Sequence, residues 1–326
     1  MKNKVSTIIR LVVSFGLLGL LFWLMRREVH SIWRILLDSD LRFLAIAFFT
    51  FLINLSFLAW RLKIIFLGED LDLTFMGALQ LTFIGYFFNN FMPTAVGGDI
   101  IKAHYAANIN KQRVKSYASV LMDRFIGLYS FVVIAAVALI VDQGRFGIEA
   151  VRFIVFFLLV FGFVGAVIAT NKRIANFMGG VFTRLKMFRL GEKLNSVYQI
   201  VHDYRNRPGV VVKSFLMSIG AQSFYFLIIY LFFRSLGTNM NIGNIFLIMP
   251  VVTVISMVPS VGGLGVREGA MVAFFAPLAG RETAFAVSLL LLLGLFLISF
   301  VGGVIYLGWG FSKERAGGAE EEEAAA

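Results

Sequence analysis

Asn89-Asn90-Phe91-Met92-Pro93-Thr94-Ala95-Val96-Gly97-Gly98-Asp99-Ile100-Ile101-Lys102 interrupts an apolar run with a proline, two glycines and two charges. A second version stands at Pro259-Ser260-Val261-Gly262-Gly263-Leu264-Gly265-Val266-Arg267-Glu268. With one residue removed from the first copy, Pro93 falls on Pro259, Thr94 on Ser260, the glycine pair on the glycine pair, and Lys102 on Arg267. Proline has no amide hydrogen and ends a helix, and paired glycines turn the backbone sharply and leave amides uncovered. A helix that begins just after such a break presents free N–H groups and a partial positive charge. The chain therefore contains the same broken-helix device twice.

Composition makes that device informative. The chain is 59% hydrophobic and only 15% charged, with a mean hydropathy of +0.84. Several apolar runs reach the length of roughly 20 helical residues that crosses ~30 Å of hydrocarbon. Shorter alternating runs, the mark of a β-barrel, are not the pattern here. The fold class is thus an all-α polytopic membrane protein. The net charge of +11 sits between the apolar runs, where cytoplasmic loops and anionic headgroups account for it, so no nucleic-acid partner is expected. There is no cysteine, which removes disulfides, thiol catalysis and thiolate metal sites. His30, His104 and His202 lie far apart without ligand spacing. No metal and no cofactor are expected.

Spans are predicted at 11–25, 43–58, 117–141, 153–169, 210–233 and 284–309, about six in all, with 74–102 and 244–283 as two re-entrant helical hairpins forming an inverted repeat. Trp60-Arg61-Leu62-Lys63 reads as the interfacial end of the second span. The organisation expected is an N-terminal helix and loop (1–42), a first repeat (43–170, motif 89–102), a basic cytoplasmic or interfacial segment (171–208), a second repeat (209–312, motif 257–268) and a disordered acidic tail (313–326). Segment 171–208 reads equally as a surface amphipathic helix or as a packed cytoplasmic hairpin. Placing the basic loops 102–116 and 171–208 inside leaves both termini in the cytoplasm, with a plasma membrane as the setting.

Asn89, Asn90, Gly97, Gly98, Asp99, Lys102, Arg124, Gly262, Gly263, Arg267 and Glu268 form the candidate substrate-binding set, with Pro93 and Pro259 as structural breaks and no catalytic residues. Lys102 and Arg267, about one turn into the new helices, would each add a full charge to an anion-binding half-site. Two other readings stay open. Asp99 and Glu268 can form ion pairs with Lys102 and Arg267, and the asparagines can close the backbone hydrogen bonds of the hairpin tip. Asp123 and Arg124, adjacent on a helix, cannot face one another, so each needs another partner or reaches the interface. No clustered histidines, paired carboxylates or nucleophile with a base mark an enzyme.

Asn89-Asn90-Phe91-Met92-Pro93 with Gly97-Gly98-Asp99, Asp123-Arg124 with Gly127, and Pro259 with Gly262-Gly263-Leu264-Gly265-Val266-Arg267-Glu268 resemble the flippase-like membrane domain of lysylphosphatidylglycerol synthases and their stand-alone relatives. The resemblance covers approximately residues 5–310. It implies an integral membrane domain that moves a lipid, such as an aminoacylated phosphatidylglycerol or a polyprenyl-phosphate-linked sugar, between leaflets. Full-length synthases carry an aminoacyltransferase domain after this part; the present chain ends soon after its last span, so no transferase activity is carried over. The partner expected is a membrane lipid with an anionic headgroup or phosphate, and a homo-oligomer is left open. A secondary transporter of a small anionic solute, and a non-catalytic membrane partner of a lipid-modifying enzyme, are the alternative readings.

Overall fold

A computed structural model describes residues 29–92, 97–142, 204–258, 260 and 262–325, with isolated positions at 19, 23, 26, 153, 155–157, 159 and 160. Its helices are α1 (Val29–Leu37), α2 (Leu41–Gly68), α3 (Phe75–Phe91), α4 (Gly97–Asn110), α5 (Arg113–Asp142), α6 (Pro208–Ser235), α7 (Ile242–Ile255), α8 (Val266–Ala279) and α9 (Arg281–Ala325), with a 3-10 turn at Tyr204–Asn206 before α6. There is no strand among the described residues, and the all-α membrane reading holds. Four helices there are long and apolar enough to cross a bilayer: Leu41–Gly68, Arg113–Val141, Pro208–Ser235 and Arg281–Gly308. The expected spans 11–25 and 153–169 and the segment 171–203 lie outside the described residues save for isolated positions, as do Pro93 and Pro259. Among those isolated positions Val155 is buried in one cluster with Ala135, Leu247 and Val251.

The order span, short helix, short helix, span occurs twice. The short helices have 17 and 14 residues in the first set and 14 and 14 in the second. At 1.5 Å per residue they reach about 21–26 Å, less than the ~30 Å of hydrocarbon. Each pair packs as a hairpin, and the second arm of each packs on the span that follows it, α4 on α5 and α8 on α9. The first arms cross over: α3 lies on α9, and α7 on α5.

At the centre α2 and α6 run antiparallel. Asp40 N–H donates to the Ser235 carbonyl, Asn54 Nδ2 donates to the Ala221 carbonyl at 2.7 Å, Gly220 abuts the Phe57 ring, and Gly68 abuts Val210. Rising number on one helix meets falling number on the other, as an inverted repeat requires. Glycines also seat large rings, Gly294 taking Phe51 and Gly303 taking Phe87, the small-residue packing that replaces hydrophobic driving force inside lipid. A core of Phe51, Leu55, Phe226, Phe233, Met249, Met271, Phe275 and Leu291 joins α2 to α6, α7, α8 and α9.

Three details differ from the expectation. Helix α2 runs ten residues beyond Leu58, because Ile64, Ile65 and Phe66 continue its apolar course past Arg61. The two glycine motifs build different turns: Gly97 and Gly98 open α4 as helical residues, whereas Gly262, Gly263 and Gly265 adopt φ of +59, +78 and +78° before α8 begins. Lys102 is therefore the sixth residue of its helix and Arg267 the second of its own. The segment expected to be a disordered tail continues α9 to Ala325; alanine, glutamate and lysine are good helix formers, and extending an existing helix needs no new nucleus.

Candidate functional site

The first hairpin closes around two glycines. A Cβ on Gly98 would strike the Gly85 carbonyl and the Asn89 side chain, and a Cβ on Gly85 would lie 2.5 Å from Lys102 Cε. Only glycine permits α3 and α4 to approach so closely. The Gly98 N–H, rather than standing uncovered, donates to Asn89 Oδ1 at 2.8 Å. Asn90 ties the same tip to the last span, its Nδ2 donating to the Leu295 carbonyl at 3.2 Å and to Ser299 Oγ at 2.5 Å. The asparagines thus carry the hairpin-closing duty.

Lys102 is held against a buried charge network. Arg61 on α2 grips Asp123 on α5 with two bonds, Nε to Oδ1 at 2.6 Å and Nη2 to Oδ2 at 3.0 Å, and its Nη1 donates to Ser218 Oγ on α6 at 3.0 Å. Asp123 is 4% exposed and Arg61 7%, so this bidentate pair is shielded from solvent. Arg124 turns the other way and pairs with Asp99 on α4. Lys102 Nζ lies 3.4 Å from Asp99 and 3.9 Å from Asp123. Three cations and two carboxylates from α2, α4 and α5 thus share one site. Gly127, one turn beyond Asp123, makes room for Arg61: a Cβ there would lie 2.8 Å from Arg61 Nη1.

Arg61 is the residue that sequence reasoning missed. Trp60 and Lys63 do behave as an interfacial pair, the ammonium 5.0 Å from the ring centre. Arg61 is two positions from Lys63, about 200° around the helix, and so points inward. The apolar residues after Lys63 were the available signal that the helix had not yet ended.

The second motif is arranged differently. Glu268, fully buried, accepts from the Gly265 N–H at 2.7 Å and from Arg267 Nε and Nη2 at 3.0 and 2.6 Å. A carboxylate of the chain itself fills the start of α8. The ion pairs Asp99–Lys102 and Arg267–Glu268 are both formed, and the second is closed on itself. The two motifs nonetheless meet, since a Cβ on Gly262 would lie 3.0 Å from Asn90 Cα and 3.3 Å from the Asn89 carbonyl.

The arrangement of motif, glycines and charges falls within one known family. A family model described as the lysylphosphatidylglycerol synthase TM region matches residues 7–303. The chain belongs to this family. The match takes in both motifs and the whole charge network. A UPF0104 membrane protein of Pyrococcus horikoshii is 24% identical over 332 residues, covering 91% of this chain and 96% of its own. A UPF0104 membrane protein of Methanothermobacter thermautotrophicus is 24% identical over 306 residues, covering 86% and 87%. No solved structure matches the chain at a significant level.

Proposed function

We propose that the protein is a lipid transporter of flippase type, moving an anionic or phosphate-containing lipid between the leaflets of the plasma membrane, with both termini cytoplasmic. The observation that carries this reading is the position of Lys102. Its ammonium is 3.4 and 3.9 Å from two carboxylates, and each carboxylate is engaged more closely by an arginine. An arriving phosphate can draw Lys102 away without leaving either carboxylate unpaired. Charges in the bilayer cost about 2.5–3.5 kcal/mol each on insertion scales, which argues for a use. The anion site so proposed draws its charges from the first repeat, with Lys102 as the ligand-facing cation and Asp99 and Arg124 as the pair that releases it; Asn89, Asn90, Gly97, Gly98, Gly262 and Gly263 shape the walls, and Arg267 with Glu268 holds the opposing tip.

A lipid is favoured over a soluble anion by the aromatic seam beside the site. Phe87, Phe88 and Phe91 on α3 pack edge-on or tilted against one another and against Tyr306 and Phe296 of α9, and Tyr105, one turn from Lys102, meets the same Tyr306. Phe91 is 58% exposed at the edge of the seam, so the apolar path from Lys102 ends at the surrounding hydrocarbon. The sequence has no phosphate-cradling nucleotide loop, and transport is downhill or coupled to an ion.

The test is translocation of fluorescent anionic lipid in proteoliposomes. Lys102→Ala lowers the rate at least tenfold and Lys102→Arg restores part of it, while thermal stability stays close to wild type because both carboxylates keep their arginines. Unchanged translocation by Lys102→Ala rejects the site. Uptake of a soluble organic phosphate, with no lipid movement, transfers the same site to the small-solute reading.

A further inference from the structure

A second recess lies at the opposite end of α2 from Leu41. It is an open groove of about 410 Å³ where α2 ends and α6 begins, with Ile64, Leu67 and Val210 as apolar walls and Arg207 and Lys213 as its charges. That volume falls in the range of ligand pockets, ~300–1,000 Å³. Gly68 also lines it, packed against the Val210 side chain. Gly209 also lines it and faces open space; in this first turn Pro208 has no N–H and the Val210 and Val211 N–H groups donate to the Arg207 carbonyl at 3.0 and 3.4 Å. The two side-chain cations, with the dipole of a 28-residue helix behind them, make the recess electropositive.

From this geometry we infer a binding site for the headgroup of an anionic phospholipid drawn from the surrounding leaflet. It is separate from the Lys102 network, about 10 Å along α2 from Arg61, and it holds whether or not that network transports anything. Arg207 meets one carboxylate among the described residues, Asp70 at 3.3 Å, and Asp70 is 77% exposed on its side chain, so a phosphate readily replaces it. The depth is right for a lipid rather than a soluble anion. Lys63 over Trp60 marks the headgroup level one turn away, and Leu67, 49% exposed, offers the acyl chain a wall. A basic recess between spans at the basic end of a membrane protein suits such headgroups.

The experiment is native mass spectrometry of the full chain released from nanodiscs of mixed phosphatidylglycerol and phosphatidylcholine. Wild type retains phosphatidylglycerol several-fold above its share of the bilayer, and Arg207→Gln with Lys213→Gln brings it down to that share. Asp70→Asn leaves retention intact, as does Lys63→Gln, which removes a cation at the same depth outside the recess. Leu67→Trp, which fills the recess and keeps every charge, lowers retention and covers the case in which the double variant does not fold. Retention at the bulk share in wild type, equal loss with Lys63→Gln, indifference to Leu67→Trp, or displacement of the lipid by millimolar inorganic phosphate each overturns the assignment.

Discussion

Replacing Asp123 with asparagine removes the carboxylate on which the buried network turns. At an effective dielectric of about 20, a unit pair at 2.6–3.0 Å attracts by about 6 kcal/mol and a pair at 3.9 Å by about 4 kcal/mol before desolvation. Asp123→Asn leaves Arg61 in the interior with Ser218 as its hydrogen-bond partner, and an uncompensated buried charge costs about 3–5 kcal/mol. Arg61→Met costs less, because Lys102 stands within 3.9 Å of Asp123 and inherits the pairing. The double variant Arg61→Met with Asp123→Asn recovers most of the loss, since removing both members of a buried pair is often near neutral. Thermal unfolding in detergent, read as a double-mutant cycle, measures all three. The reasoning fails if Asp123→Asn unfolds with wild type, if Arg61→Met is the worse single change, or if the two losses simply add.

Other outcomes follow from single contacts. In this cysteine-free chain, Gly68→Cys with Val210→Cys places two Cβ atoms about 3.5 Å apart, inside the disulfide window, so a crosslink forms on mild oxidation and is seen as a gel shift; its absence denies the antiparallel α2–α6 joint. Gly98→Ala drives α3 and α4 apart and destabilises by at least the 1–3 kcal/mol of overpacking, visible as a lowered Tm. Glu268→Gln strands Arg267 inside the protein and costs about 3–5 kcal/mol; Glu268→Gln with Arg267→Met restores most of it in the same melt. On the proposed orientation, a single cysteine at Lys111, in the loop between α4 and α5, reacts with a membrane-impermeant maleimide only after the cytoplasmic face is opened.

The apolar runs and the two glycine motifs were legible because each is local: a span declares itself over about 20 residues, and a break by proline or glycine. Helix ends were less legible. Arg61 and Lys63 look alike in a string, and only their opposite faces on α2 separate a buried ion-pair partner from an interfacial anchor. Adjacency on a helix sets Asp123 and Arg124 on different faces, but that their partners are Arg61 and Asp99 follows only from the packing of α2 and α4 on α5. Sequence similarity also suggested equal turns. It did not carry the difference between a glycine that lets two helices touch, Gly98, and glycines that hold positive φ, Gly262 and Gly263. Nor does any local pattern say that Gly262 rests on Asn90, since that contact joins two motifs across the whole chain.

The inverted repeat is symmetric in its helices and unequal in its charges. Among the described residues, three cations meet two carboxylates around the first hairpin, and at the second one cation meets one carboxylate. Turning the molecule over in the bilayer therefore exchanges two similar frames and leaves the electrostatics facing the other leaflet. Protein reconstituted in random orientation is a mixture of two devices, and their fluxes cannot be averaged as though they were one. Only vesicles with uniformly inserted protein report how the chain treats each leaflet.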